Sequence, residues 1–377
     1  MTYKEYSNFP LSSSGMVCPA SLYMYVATTA AGVFFTDSYV DEGTQPTWVD
    51  VSAGLPALDC NEFHIDPFDP TNRQYVLLKN SNEKNTLHRR VNGGAWEEIL
   101  NCTDAATLCV CDDTDSFIAG FCLNPTIPGK IWATFGSNNV VEEPNGYWAL
   151  YSDDYGDTWN ISVKLVDGIF TYGLGTPVAY DDYIFVPLSN FAGGAELVYY
   201  SVNGGGAWAS QNLGANFTAQ FGYNILIPER VYAWASFGGG SFWMYDAGGV
   251  PVDLFSEGHL RGDAQWFDPV LPNTQRYFGY VTYNLKYTTD NWTNELSTDV
   301  NFFPYAFNPI DINGEILCTI SLDHAGHQHH CIAVLTDVTD VNPVGIAGTN
   351  CDTAPFTDSI PDTCGAVCLH GLQAFMA

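Results

Sequence analysis

Basic residues are scarce. The 377-residue chain carries 12 Lys plus Arg against 42 Asp plus Glu, a formal net charge of −30. Such a surface repels nucleic acid and anionic membranes, so neither is expected as a partner. No run approaches the roughly 18 apolar residues of a membrane-spanning helix, and no long stretch repeats its apolar residues at helical spacing. The 11 cysteines never form the paired Cys-x-x-Cys pattern of a zinc site. No glycine loop follows a strand and opens a helix, which removes support for nucleotide binding. Met1-Thr2-Tyr3-Lys4-Glu5-Tyr6 lacks the basic-then-apolar order of a secretory signal. No cofactor is expected.

The abundant residues are those of strands and turns: 22 Tyr, 23 Phe, 10 Trp, 35 Gly and 20 Pro. The most informative stretch is Ser152-Asp153-Asp154-Tyr155-Gly156-Asp157-Thr158-Trp159. A carboxylate at Asp154 can accept hydrogen bonds from N–H groups of its own turn. Gly156 supplies a positive φ, Thr158 begins the returning strand, and the Trp159 indole covers the hairpin. Ser201-Val202-Asn203-Gly204-Gly205-Gly206-Ala207-Trp208 repeats the pattern, with Asn203 in place of Asp. A shorter copy has Asn92, Gly94 and Trp96. Asp290 and Trp292 belong to a shortened form, and Asp37 with Trp48 to one with a longer tip. Tyr245-Asp246-Ala247-Gly248-Gly249 lacks the Trp, and Thr336-Asp337 is the last candidate.

A second signature recurs out of phase with the first. Its copies begin at Asp66-Pro67, Asn124-Pro125, Asp268-Pro269 and Asn308-Pro309, with a compressed copy at Ile227-Pro228. Each reads as a short strand, a proline-punctuated turn and an aromatic or β-branched strand. Both signals share a period of about 50 residues, the mark of a repeat architecture.

The first signature resembles the Asp-box (BNR-type repeat) of sialidases, sortilin-type receptors and xyloglucanase-type glycosidases. That resemblance implies the hairpin between the two outer strands of a β-propeller blade. The expected fold is all-β: a single seven-bladed β-propeller with four-stranded antiparallel blades. Residues 1–15 form an N-terminal arm. The blades fall at about 16–62, 63–118, 119–172, 173–222, 223–264, 265–302 and 303–350, and the Cys-containing tail 351–377 closes or caps the ring. Cys102 to Cys111 read as an elaborated loop.

The resemblance covers the repeats and not the families' catalytic sets. A sialidase would need three arginines, one of them in an Arg-Ile-Pro motif that this chain lacks. Arg73, Arg230 and Arg276 stand at matching repeat positions, with Lys130 at the equivalent place in another, and a repeated residue is read as scaffold. Xyloglucanase-type enzymes place two catalytic Asp between two propellers, and only one propeller fits here. Asp66, Asp69, Asp181, Asp182 and Asp268 are candidate carboxyls for glycoside hydrolysis, but no pair stands out. No residue is assigned a catalytic role. His327 and His329 alternate within His324-Ala325-Gly326-His327-Gln328-His329-His330-Cys331, and read either as metal ligands needing a third from elsewhere or as a polar loop tip.

The cysteines fall in clusters, among them Cys102, Cys109, Cys111 and Cys122. Local disulfides, hence an oxidising setting, are expected, with buried free thiols as the alternative. An exposed protein without a secretory signal fits assembly into a particle that is later released. The functional expectation is therefore a non-enzymatic structural or recognition propeller on an extracellular or virion surface, such as a phage capsid-decoration or tail component. Its partners would be other structural proteins, or host-surface glycans and proteins. The alternative is a secreted glycoside hydrolase working through two carboxylates.

Overall fold

The computed structural model describes residues 13–20, 23–28, 31–36, 49–69, 72–79, 84–137, 145–167, 172–190, 197–212, 218–223, 229–235, 241–250, 252–256, 279–281, 284–287, 296–297, 303–308, 316–324 and 327–335. Asp268, Arg276, Asp290, Trp292, Asp37, Trp48 and Thr336-Asp337 lie outside them. Two compact units are formed, one from Met1–Ile65 with Asp263–Ala377 and one from Asp66–Gly262.

The first unit opens with a four-stranded sheet: β1 (Ser13–Ala20), β2 (Tyr23–Thr28), β3 (Gly32–Thr36) and β4 (Val49–Asp50), antiparallel and in chain order. Strand β5 (Cys60–Ile65) follows and lies close to β1.

The second unit holds β6 (Arg73–Leu78), β7 (Thr86–Val91) and β8 (Trp96–Leu100), then helix α1 (Cys102–Cys109). Next come β9 (Ser116–Leu123), β10 (Ile131–Ser137), β11 (Gly146–Ser152) and β12 (Asn160–Asp167), a four-stranded meander. The following sheet has a split first edge, β13 (Tyr172–Leu174) and β14 (Val178–Tyr180), both paired with β15 (Tyr183–Asn190), then β16 (Leu197–Ser201) and β17 (Ala209–Asn212). A last meander comprises β18 (Thr218–Tyr223), β19 (Arg230–Ala235), β20 (Ser241–Asp246) and β21 (Val252–Ser256).

The remaining strands return to the first unit: β22 (Gly279–Val281), β23 (Asn284–Tyr287) and β24 (Leu296–Ser297) in one sheet, and β25 (Phe303–Asn308), β26 (Ile316–His324) and β27 (His327–Leu335) in another. Strand β25 lies beside β1, so the two ends of the described chain meet within this unit.

Burial explains the sequence pattern along each sheet of the second unit. Second strands are buried on both faces: every residue of β10 is buried, and all but Arg73 of β6. Fourth strands face water, as in β17, where three of the four residues are exposed. A strand covered on both faces needs a near-continuous apolar run, whereas an outer strand need not. The interior is a series of packed layers. Tyr75, Leu77, Leu87, Ile118, Phe121, Phe135 and Trp148 join the β6–β8 strands to the β9–β12 sheet. Tyr147, Leu165, Val186 and Leu188 continue the core to β15. Phe185, Val198, Val231 and Tyr245 reach β19 and β20.

The stretch read from sequence as a loop at Cys102–Cys111 is a helix, α1. Asn101 caps its N-terminus, its side chain accepting from the Asp104 N–H at 2.8 Å. Val110 closes the other end in the left-handed region, φ 56°. The buried face is Cys102, Ala105, Ala106 and Cys109, packed into the layer of Tyr75 and Phe121. The helix also corrects the expected local disulfides here, because Cys102, Cys109 and Cys111 are free thiols. Cys102 and Cys109 stand seven residues apart on one helix, about 10 Å at its rise, beyond the reach of a disulfide. Burial raises the pKa of both thiols, so they stay protonated and behave as small apolar groups.

Alkylation after unfolding in denaturant without reductant is expected to add one group to each of Cys102, Cys109 and Cys111. In the native protein Cys111, the most accessible of the three, is expected to react first. A mass showing these cysteines unmodified in denaturant would mean that they are bridged.

Candidate functional site

The richest polar constellation in the second unit gathers around the turn from Ser152 to Trp159, which joins β11 to β12. The Ser152 hydroxyl is its hub. It donates to Asp154 Oδ1 at 2.8 Å and accepts from the N–H groups of Asp154 at 3.2 Å and Gly156 at 2.8 Å. Asp154 then accepts from the Thr158 N–H at 2.8 Å and the Thr158 hydroxyl at 2.6 Å. These bonds, led by those from Thr158, hold the Asp154 carboxyl below its ordinary pKa. Tyr155 and Gly156 both take positive φ, 64° and 99°.

The turn is clasped by the strands that precede it. Tyr155 N–H donates to Gly129 O at 2.9 Å. Tyr155 O accepts from Arg89 Nη1 at 3.0 Å and from the Tyr75 hydroxyl at 3.3 Å. The Arg73 guanidinium lies 3.9 Å from the centroid of the Tyr155 ring and pairs with Asp66. Trp159 Nε1 donates to Ile99 O at 2.8 Å. A Cβ on Gly156 would come within 2.5 Å of Ile99 Cδ1, so the Ile99 side chain would have to shift; the φ is what requires the glycine.

Ser201–Trp208 builds the same turn between β16 and β17. The Ser201 hydroxyl donates to Asn203 Oδ1 at 2.9 Å and accepts from Gly205 N–H at 2.9 Å. Asn203 Oδ1 accepts from Ala207 N–H at 2.8 Å. Gly204 N–H donates to Asp182 O at 2.9 Å, and Trp208 Nε1 to the Ser162 hydroxyl of β12 at 2.9 Å. A Cβ on Gly205 would meet Trp132 at 2.4 Å.

The two shorter copies differ in detail. Asn92 and Gly93 both have positive φ, 52° and 67°, and Gly94 N–H bonds to Val91 O at 2.9 Å, so this hairpin closes by a tight two-residue turn. The Asn92 side chain is exposed, Gly94 is not in the left-handed region, and Trp96 is buried. In the Tyr245–Gly249 turn, Asp246 pairs with both Arg230 Nε at 2.6 Å and Arg230 Nη2 at 2.9 Å.

One bond is common to all four turns. The N–H of Asn92, Tyr155, Gly204 and Ala247 donates to the carbonyl of Asn72, Gly129, Asp182 and Glu229 respectively, each just ahead of a second strand. The proline-punctuated signature supplies that acceptor side. Asp66 Oδ1 accepts from Phe68 N–H at 2.9 Å. Asn124 Oδ1 accepts from the N–H groups of Thr126 at 3.0 Å and Ile127 at 3.2 Å. The two signatures read separately from sequence therefore meet at the Asn72 and Gly129 carbonyls, whereas the Asp182 carbonyl lies in a turn without the proline signature.

Beside the clasp lies a shallow cleft with about 180 Å³ of empty space, lined by residues including Asp66, Phe68, Tyr75, Asn124, Lys130 and Tyr155. Its ionisable groups are engaged. Lys130 Nζ bonds Asp153 Oδ1 at 2.7 Å and sits 4.0 Å from the centroid of the Tyr151 ring. Arg89 bridges Glu97 at 3.0 Å and Asp157 at 2.8 Å. Burial drives the Tyr75 pKa upward, so its hydroxyl stays protonated and donates. Of the candidate carboxyls, Asp66 is taken by Arg73, Asp69 accepts from Asn72 Nδ2, and Asp181 and Asp182 are exposed on a turn whose carbonyls accept from Asn124 and Gly204. Among the residues whose side chains are described, no group of three or more His, Cys, Asp or Glu could hold a metal ion. His327 and His329 lie in β27. Ser152 and Ser201 read from sequence as residues of these turns, and the structure makes their hydroxyls the hubs.

No protein-family model matches the chain, and no curated protein does. Solved structures do. The chain is similar to YCF48 at 14% identity, with 89% of this chain and 98% of that one covered and a TM-score of 0.52. The WD40 β-propeller domain of Doa1 aligns at 8% identity over 89% and 96% of the two chains, TM-score 0.54. Oligogalacturonate lyase from Vibrio parahaemolyticus aligns at 10% identity over 89% and 98%, TM-score 0.54. All three are β-propellers, and with its antiparallel four-stranded sheets this chain has the propeller fold.

Gly156→Ala and Gly205→Ala are each expected to destabilise the protein by about 2–4 kcal/mol, from left-handed strain plus overpacking. Denaturant titration would measure it. A second test concerns pH. A carboxyl whose folded pKa is depressed stabilises above its unfolded value, about 3.9, and loses that contribution as pH falls through its folded value. The stability gap between the wild type and Asp154→Asn is therefore expected to be constant near neutrality and to shrink below about pH 4. Urea midpoints from pH 7 to 3 would show it, and a gap unchanged down to pH 3 would refute the role of the charge.

Proposed function

We propose that this chain is a seven-bladed propeller of the Asp-box type and that it serves as a non-enzymatic recognition or structural component of a larger assembly, on a virion or other extracellular surface. The described strands support the blade count, since each of the seven expected intervals contains an antiparallel set of strands. The Asp-box type is supported by the Ser152–Trp159 and Ser201–Trp208 turns, which share one hydrogen-bond plan.

The observation that carries the functional reading is where the charge goes. Arg73, Arg89, Lys130 and Arg230 are each committed to a carboxylate that fastens a turn or hairpin. Chemistry needs groups poised for a substrate, whereas these are spent on rigidity. A rigid frame presenting varied rim loops suits binding to another macromolecule. The propeller YCF48, a neighbour in fold alone, was solved bound to a D1 peptide, so a protein partner is a use this architecture supports. With a net charge of −30, the surface favours partners whose contact face is neutral or basic.

Gentle purification from the natural source, followed by native mass spectrometry, is the test. The expected result is this chain in fixed ratio with other structural proteins. A free monomer that cleaves glycans would overturn the reading.

A further inference from the structure

We propose that the β26–β27 hairpin carries a transition-metal site made by His324, His327 and His329. The pairing register is the argument. The two strands pair without a shift over nine positions, from Ile316↔Leu335 to His324↔His327. Residues directly opposite in an antiparallel ladder share a face, and so do alternate residues of one strand. His324 is opposite His327, and Leu322 is opposite His329. All three histidines therefore occupy neighbouring positions on one face at one end of the hairpin. The third ligand that His327 and His329 require comes from the partner strand: His324, three residues before His327 and separated from it by Ala325-Gly326. His330, opposite Ser321, falls on the other face.

Directly opposed positions in such a ladder have Cβ atoms roughly 5 Å apart, and diagonal neighbours roughly 7 Å. That spacing of positions is within the range over which three histidines can serve one ion. Three imidazoles are the donor set of borderline dications such as Zn²⁺, Ni²⁺ and Cu²⁺, with a remaining position for water or for a ligand from a partner. Leu322 opposite His329 brings no competing charge to the face. This site is independent of the assembly reading, since it requires neither a partner nor an activity.

The full-length protein, stripped with chelator and dialysed, would be titrated with ZnCl₂ and separately with NiCl₂ by calorimetry. The expected result is one ion per chain. His324→Gln, His327→Gln and His329→Gln should each weaken binding at least roughly tenfold, because loss of even an outer-shell partner costs roughly 10–100-fold. His330→Gln, on the opposite face, should bind like the wild type. Binding should also fade as pH drops below about 6, where protons compete for imidazole. Circular dichroism of each variant separates loss of the site from loss of the fold. Absence of binding, or an equal loss in His330→Gln, would overturn the proposal.

Discussion

A single backbone hydrogen bond organises the second unit. In each of four successive hairpins an N–H at the turn joining third and fourth strands reaches the carbonyl just ahead of the second strand. A turn at the rim of a sheet would otherwise leave that donor and acceptor to solvent. Once they are joined, the turn is held at a fixed position over the preceding hairpin. The Ser152 and Ser201 hubs, the Asp154 and Asn203 acceptors and the left-handed residues then serve to hold the backbone in the shape that makes the bond possible. Trp159 and Trp208 extend the fastening, each reaching with its indole N–H to a neighbouring strand.

The electrostatics follow from that frame. A protein with so few basic residues would be expected to leave most carboxylates to water. Several described arginines instead pair with acids: Arg89 touches Glu97 and Asp157, and Arg73 touches Asp66 and a tyrosine face, while Arg90 donates to the Gly93 and Gly94 carbonyls. Arg89 is the most connected, linking β7, β8 and the next sheet's turn. Partly buried pairs of this kind add less net stability than their short distances imply, since desolvation opposes them. What they add is definition, because a misplaced turn would leave a cation without its partner.

The propeller fold and the turns were legible in sequence because their hydrogen bonds require particular residue types. Gly156 and Gly205 take a left-handed φ, with Trp132 close against Gly205, and Asp, Asn, Ser or Thr returns a side-chain acceptor to its own turn. The joining bond was not legible, because any residue can offer a backbone carbonyl: the acceptors are Asn72, Gly129, Asp182 and Glu229, an amide, a glycine and two carboxylates. Helix α1 escaped notice for a different reason. It has only eight residues, too few for a helical period to emerge, and clustered cysteines are equally a pattern of local bridges. Asn101 ahead of Asp104 was the available signal, a cap followed by an acid in the first turn.

The division into two units has a kinetic side. The second unit is continuous from Asp66 to Gly262, so its layers can form as neighbours emerge one after another. The first draws on segments nearly two hundred residues apart in sequence, and β1 meets β25 there. Contacts at such separation are reached only after a large loop has been closed, and high contact order slows folding. β1 to β4 can pair with one another as they emerge, but the contact between β1 and β25 must wait until β25 has been made, and that interval is when this chain is most open to misassembly.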